Sequence, residues 1–199
     1  MEHRTESNPL KALRRDIEAQ NVELPQSKWE EVSSICQVIS YEKKAEIAAR
    51  QKMTPSVLFV TNGVCADQIT RPEGQSVIGR FFQPGDFCAG TKLSTDEHTP
   101  AHNILATTYV EGVLIPMALW LTEYFDGGGI GLYARKKMFQ AHNFDIDLMR
   151  VKTLNRTFDT YEFLKTRQPC VIQLVAQIHI AQFLGITPEG LSRFLRTKP

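Results

Sequence analysis

Across residues 37–116 five short β-prone runs, QVISY, SVLFVTNGV, SVIGRFF, NILATTYV and GVLIP, alternate with clusters of Pro, Gly, Asn and Asp. Short strands at such regular spacing predict a sandwich, roll or barrel. The pattern stops abruptly. MALWLTEYF reads as a short apolar helix, and Gly127, Gly128 and Gly129 form the strongest breaker in the chain. Residues 130–164 contain no proline and read as helix, with an interruption expected near HNFD. A β-rich front joined to a helical back restricts the fold more than any composition value does.

The remaining segments are helical. The opening, to about Cys36, places Trp29, Val32 and Ile35 or Cys36 at helical spacing behind Ser27 as a possible cap. Gln168-Pro169 marks a further break, and the last thirty residues return to helix. Between the glycines and that break, Leu132, Met138, Phe139, Ile146, Met149, Val151, Leu154, Phe158, Tyr161 and Leu164 supply abundant apolar surface. Two destinations are open to each of them, the chain's own β-core or a second copy of the chain.

A chain of 199 residues makes one large domain or two small ones. Its 42% hydrophobic and 23% charged content is that of an ordinary soluble globular protein. No apolar run is long enough to cross a bilayer, and the first twenty residues lack the apolar stretch of a secretion signal, so a cytoplasmic location and no membrane partner are expected. Cys36, Cys65, Cys88 and Cys170 are scattered without Cys-x-x-Cys spacing, as expected of small semi-buried hydrophobes. The near-neutral total hides an asymmetry. From residue 150 onward there are eight Lys/Arg against three Asp/Glu, while the first 149 residues carry fifteen against nineteen. A localised anionic partner for the C-terminal part is the natural inference.

IAQFLGITPEGLSRFLR, residues 180–196, gives that inference a shape. Ala181 permits close approach of a second helix, and Gly185 suits a left-handed turn. Thr187 can cap the next helix, and Pro188 fits its first position, where no N–H is needed. On a helical wheel Glu189, Ser192, Arg193 and Arg196 fall within about 60° of one direction, and Leu191, Phe194 and Leu195 point the other way. Side chains near the start of such a helix can enter a major groove, where Arg donates bidentately to guanine and Glu accepts from cytosine. A solvated amphipathic helix in a helical hairpin is the plain alternative.

The segment resembles the helix–turn–helix of Crp/Fnr-type bacterial transcription regulators, whose recognition helix often carries Glu-x-x-Ser-Arg, here Glu189, Ser192 and Arg193. YEFLKTRQPCVIQLVAQIHIAQFLGITPEGLSR is similar to the compact C-terminal domain of shorter members, and FFQPGDF sits where their β-roll would place it. The resemblance implies an α+β chain. Residues 1–126 would form an antiparallel β-roll, jelly-roll-like, with flanking helices. Residues 127–150 would be linker and dimerisation helix, and residues 151–199 an all-α helix–turn–helix domain without a full wing. It implies a homodimer acting on double-stranded DNA through Thr187, Pro188, Glu189, Ser192, Arg193, Arg196 and Lys198. RNA polymerase is a further partner it suggests, and no enzymatic activity is expected. The competing reading is a β-roll ligand-sensing or protein-interaction module whose helical tail does not bind DNA specifically.

In three respects the chain departs from that pattern. Cyclic-AMP-binding members carry Gly-Glu and, further on, an arginine that neutralises the cyclic phosphate. Here Gly90 is followed by Thr91, the arginine position falls near Thr99, and Lys92 is the only Lys/Arg between Arg80 and Arg135. Cyclic AMP is therefore not expected to bind in the usual way, and Gly85, Asp86, Phe87, Gly90, Thr91 and Thr99 mark an effector pocket of unknown ligand. The N-terminal cysteine cluster of iron–sulfur members is missing. His142 and His179 could ligate haem, although surface histidines are the simpler reading. Asp96, Glu97, His98 and His102 read as a solvated loop rather than a metal site, because Pro100 denies the two histidines a shared helical face.

Overall fold

The computed structural model of the chain describes residues 8–47, 56–70, 74–89, 102–153 and 157–196. Helices α1 (Pro9–Ala19) and α2 (Gln26–Ile35) precede seven strands, β1 (Gln37–Tyr41), β2 (Ser56–Asn62), β3 (Cys65–Thr70), β4 (Ser76–Phe82), β5 (Phe87–Ala89), β6 (His102–Ala106) and β7 (Val110–Pro116). Six helices follow, α3 (Met117–Phe125), α4 (Gly129–Thr153), α5 (Thr157–Arg167), α6 (Pro169–Leu174), α7 (Gln177–Leu184) and α8 (Pro188–Arg196).

The strands form two antiparallel sheets, ordered β1-β7-β2-β5 and β4-β3-β6. Consecutive strands β2 and β3 lie in different sheets, so the chain rolls over at each turn and encloses a core between the layers. That core contains Leu58, Val60, Cys65, Phe82, Cys88, Ile104, Val110 and Leu114. The α+β architecture with an N-terminal β-roll and C-terminal helices is the one the sequence implied.

Two of the expected runs are divided differently. NILATTYV is not one strand: Thr107 and Thr108 make a turn between β6 and β7. The Thr107 hydroxyl donates to Val64 O at 2.7 Å, and the Thr108 hydroxyl accepts the Val64 N–H at 2.8 Å. Side-chain bonds of this kind compete with strand pairing. Gly112, the first residue of the run GVLIP, lies inside β7, which starts two residues earlier, and a Cβ there would stand 2.4 Å from Phe59 O on the neighbouring strand. Strands β3 and β5 had no clear run of their own.

Each sheet is covered by helices. On the first, α1, α2, α3 and the start of α4 pack through Leu13, Ile17, Trp29, Val32, Trp120, Ile130 and Tyr133 against Val57, Phe59, Val113 and Ile115. Ser27 does not cap α2; Pro25 holds that position and the helix has no side-chain cap. Ile35 is exposed and Cys36 half-buried, so Cys36 continues the apolar face. The Tyr133 hydroxyl donates to Asp16 Oδ2 at 2.6 Å, and Lys137 pairs with Asp16 at 3.2 Å, which fixes α4 on α1.

On the second sheet, Val64, Ala66, Ile78 and Phe81 share one core with Leu148 of α4 and with Leu164, Val171, Ile180, Ala181, Phe183 and Leu191 of the C-terminal helices. Phe81 and Phe183 meet with ring centroids 5.3 Å apart. Helix α4 runs unbroken through HNFD, and the described helix ends at Thr153 instead.

Candidate nucleic-acid interface

The helix–turn–helix is assembled as its residues dictate. Helix α7 ends at Gly185, whose φ of 69° and ψ of 27° are left-handed. The Ile186 N–H then returns to Ala181 O at 3.0 Å, satisfying a carbonyl the helix leaves open. Thr187 Oγ1 accepts the Gly190 N–H at 3.0 Å, and Pro188 occupies the first helical position. This is capping by the residue types that suit it. Ala181 is fully buried beneath the junction.

Helix α8 is strongly two-faced. Leu191 is fully buried, and Phe194 packs edge-on to Tyr161 with centroids 5.5 Å apart. Glu189, Arg193 and Arg196 are exposed, and Ser192 is half-buried beside them. Thr187 and Pro188 are exposed at the helix start, and Lys198 lies outside the described residues. The structure therefore brings Glu189, Ser192, Arg193 and Arg196 onto one face. It presents one acceptor and two guanidinium groups to solvent from a helix anchored on its opposite side.

The residues assigned to an effector pocket are placed less simply. Gly90, Thr91 and Thr99 lie outside the described residues. Phe87 belongs to the core, with centroids 4.9 Å from Phe59 and 4.8 Å from Trp120. Gly85 makes the turn before β5, with φ of 92°. The Asp86 carboxylate accepts the Gln83 N–H at 2.9 Å and Gln168 Nε2 at 3.3 Å. Burial pushes its pKa up, against those hydrogen bonds and the nearby Arg80 and Lys137. Asp86 and Phe87 line a cleft of about 190 Å³ closed by Lys137, Gln140 and Arg167. Its cations have acidic neighbours: Arg80 pairs with Asp145, Lys137 with Asp16 and Arg167 with Asp147. His142 is exposed on α4, and His179 Nδ1 lies 3.0 Å from Gln182 Oε1.

Sequence reasoning missed the residues that seat the helical domain on the roll. Gln168, read only as a break before proline, is buried, and its Nε2 donates to Phe81 O at 3.0 Å. Gln83 Nε2 reaches back to Arg167 O at 3.3 Å. A polar residue before proline carries no signal of a partner more than eighty positions away. Phe183 was visible as apolar, but its partner Phe81 was not.

No protein-family profile matches the chain, and no curated protein matches it by sequence. Solved structures do. A transcriptional regulator assigned to the Crp/Fnr family from Eubacterium rectale superimposes with a TM-score of 0.64 at 18% identity, covering 87% of this chain and 82% of that one. A mutant of CooA from Carboxydothermus hydrogenoformans gives 0.64 at 16% identity, covering 96% and 84%. FixK2 from Bradyrhizobium japonicum gives 0.59 at 19%, covering 81% and 83%. The chain thus has the fold of Crp/Fnr-type regulators over most of its length.

Proposed function

We propose that this chain is a Crp/Fnr-type DNA-binding transcription regulator, a homodimer that reads a palindromic site through the segment of residues 188–198, whose described part is helix α8. The observation that carries the reading is helix α8 itself. Glu189, Arg193 and Arg196 face solvent from a helix held by buried Leu191, in a segment whose basic side chains outnumber its acidic ones. Arginine supplies bidentate donors for guanine and glutamate an acceptor for cytosine. A glutamate on a surface used only for phosphate would weaken binding, so its presence favours base reading.

Helix α4 supports the twofold arrangement. Leu132, Phe139 and Ile146 repeat every seven residues, with Met149 three residues after Ile146. Leu132, Phe139 and Met149 are 41%, 66% and 61% exposed, and Ile146 is half-buried. Tyr133, Ala134 and Leu148 occupy the opposite, buried face. A seven-residue apolar repeat left uncovered along one helix is the seam of a two-stranded coiled coil. Two reading helices related by a twofold axis match half-sites about one helical turn apart.

The β-roll would be the sensor, for a ligand other than cyclic AMP bound in the usual way. RNA polymerase would be the partner through which a DNA-bound dimer acts. A gel-shift titration at low salt, with excess non-specific duplex, tests the reading. Saturable binding to a selected sequence and failure on its scrambled version support it. Equal retardation of both, or of neither, favours a sensing module whose helical tail contacts protein.

A further inference from the structure

The seat of the C-terminal helices on the roll is polar and only half satisfied at one point. Asp86, just before β5, accepts the Gln83 N–H at 2.9 Å and Gln168 Nε2 at 3.3 Å. Gln168 Nε2 also donates to Phe81 O at 3.0 Å, which fixes the end of that amide that carries nitrogen. Gln168 is 2% exposed, and its Oε1 has no donor among the described residues. Gln83 Nε2 donates to Arg167 O at 3.3 Å, but Gln83 Oε1 is likewise buried without a donor among the described residues. Both orphan acceptors thus belong to the two residues that hold Asp86. Buried acceptors are rarely left so, because the lost bond to water is not replaced.

The charged groups around Asp86 come from several elements. Arg80 of β4 and Lys137 of α4 face its carboxylate, and Arg167 of α5 lines the same cleft. Each of these cations also has an acid of its own, Asp145, Asp16 and Asp147 respectively. Cys88 of β5 is close as well, and its contact with Cys65 and its burial push its thiol up, so that it stays neutral. Burial pushes the Asp86 carboxyl up and outweighs the bonds and cations that favour the charged form. An ionised carboxylate only accepts, whereas a protonated one keeps an acceptor and gains an O–H. That O–H is the donor that the two amide oxygens lack. We propose that docking of the C-terminal helices on the roll takes up one proton from solvent on Asp86, whose O–H then serves the amide oxygen of Gln168 or Gln83. The docked state holds this proton more tightly than the released one. Its contribution to docking is therefore fully present below the released pKa and lost as pH rises through the docked one. The core shared by Phe81, Phe183 and Leu191 connects this seat to α8, so the proton would tune how firmly α8 is held. That regulatory meaning rests on the DNA-reading proposal; the proton linkage does not.

Two measurements on the full chain without DNA test the linkage independently of what α8 contacts. In the first, NMR follows the carboxyl carbons of isotope-labelled aspartates through a pH titration. Asp86 is expected to take up its proton at a higher pH than exposed Asp126. In the second, hydrogen exchange, corrected for the intrinsic effect of pH, reads the protection of amides in α6–α8. Asp86→Asn keeps an acceptor for the Gln83 N–H and supplies a permanent N–H in place of the O–H. It should raise that protection at about pH 8 by at least about threefold, and the gain should shrink as the pH is lowered. If Asp86→Asn does not fold, the titration of the wild-type chain carries the test. An Asp86 that titrates with Asp126 or below it overturns the proposal. So does a smaller gain in protection at high pH, or one that is the same at every pH.

Discussion

Gly185 and Gly112 are both required, for opposite reasons. At Gly185 an added Cβ would meet nothing within 4 Å, so the demand comes from its φ of 69° alone. Gly185→Ala should cost about 1 kcal/mol, measured by urea unfolding, and Gly185→Asn less, because asparagine tolerates the left-handed region. At Gly112 the backbone angle is unremarkable, but a Cβ would press on Phe59 O at 2.4 Å and on Leu58 Cδ1 at 2.6 Å. Gly112→Ala should therefore push β7 from β2 and cost about 2–3 kcal/mol. On the exposed face of α8, the proposed function predicts that Arg193→Ala loses about 1–3 kcal/mol per half-site and relaxes preference at one base pair. Lys198→Ala should weaken all sequences alike and flatten the salt dependence by about one unit of log–log slope. A set of one-base-substituted operators separates the two outcomes. The cap and polar face of α8 were legible because they are local: Thr187 accepts the Gly190 N–H within one turn, and Glu189 and Arg193 lie one turn apart on the same helix.

Elements were legible where their signals were local and lost where tertiary contacts decided. Helix α3 and the glycine break after it follow from composition, and β1 and β4 coincide with their β-prone runs. Strand β3, CADQIT, carries Asp67 and Gln68 in place of apolar residues, and its register shifts between them, so no clean alternation announces it. Strand β5 is three residues long, too short for any period. HNFD looked like an interruption because Asn and Asp favour turns, yet Phe144 packs toward the C-terminal core and keeps α4 continuous. Segment 90–101 supplies Lys92 as its single Lys/Arg, so a cyclic phosphate there would lack the fork that an arginine provides. Calorimetry at physiological salt should show no saturable low-micromolar isotherm for cyclic AMP. A tight isotherm would mean that another cation takes the phosphate.

At the scale of the whole molecule, helix α8 shares a core with the roll. Leu191 of α8 and Phe183 of α7 belong to the same core as Phe81, Ile78 and Val64 of the roll, and Gln168 bonds to both Phe81 O and Asp86. The position of α8 is thereby tied to the sheet β4-β3-β6, a coupling no sequence pattern disclosed because it joins residues about a hundred positions apart. In the proposed dimer, the exposed stripe on α4 would set the distance between the two copies of α8. Phe139→Asp should place a charge in that seam and turn a dimer into a monomer by light scattering at micromolar concentration, with the circular dichroism unchanged. Wild-type protein that is monomeric with and without DNA would remove the seam from the account. The central claim is that two copies of α8 read DNA symmetrically, and selection of bound duplexes from a random library tests it most directly. The account predicts an enriched palindrome with half-sites about 10 base pairs apart, centre to centre, and loss of one specified position in each half when Arg193 is alanine. Enrichment of no sequence, or of a site without twofold symmetry that Arg193→Ala leaves unchanged, would contradict it.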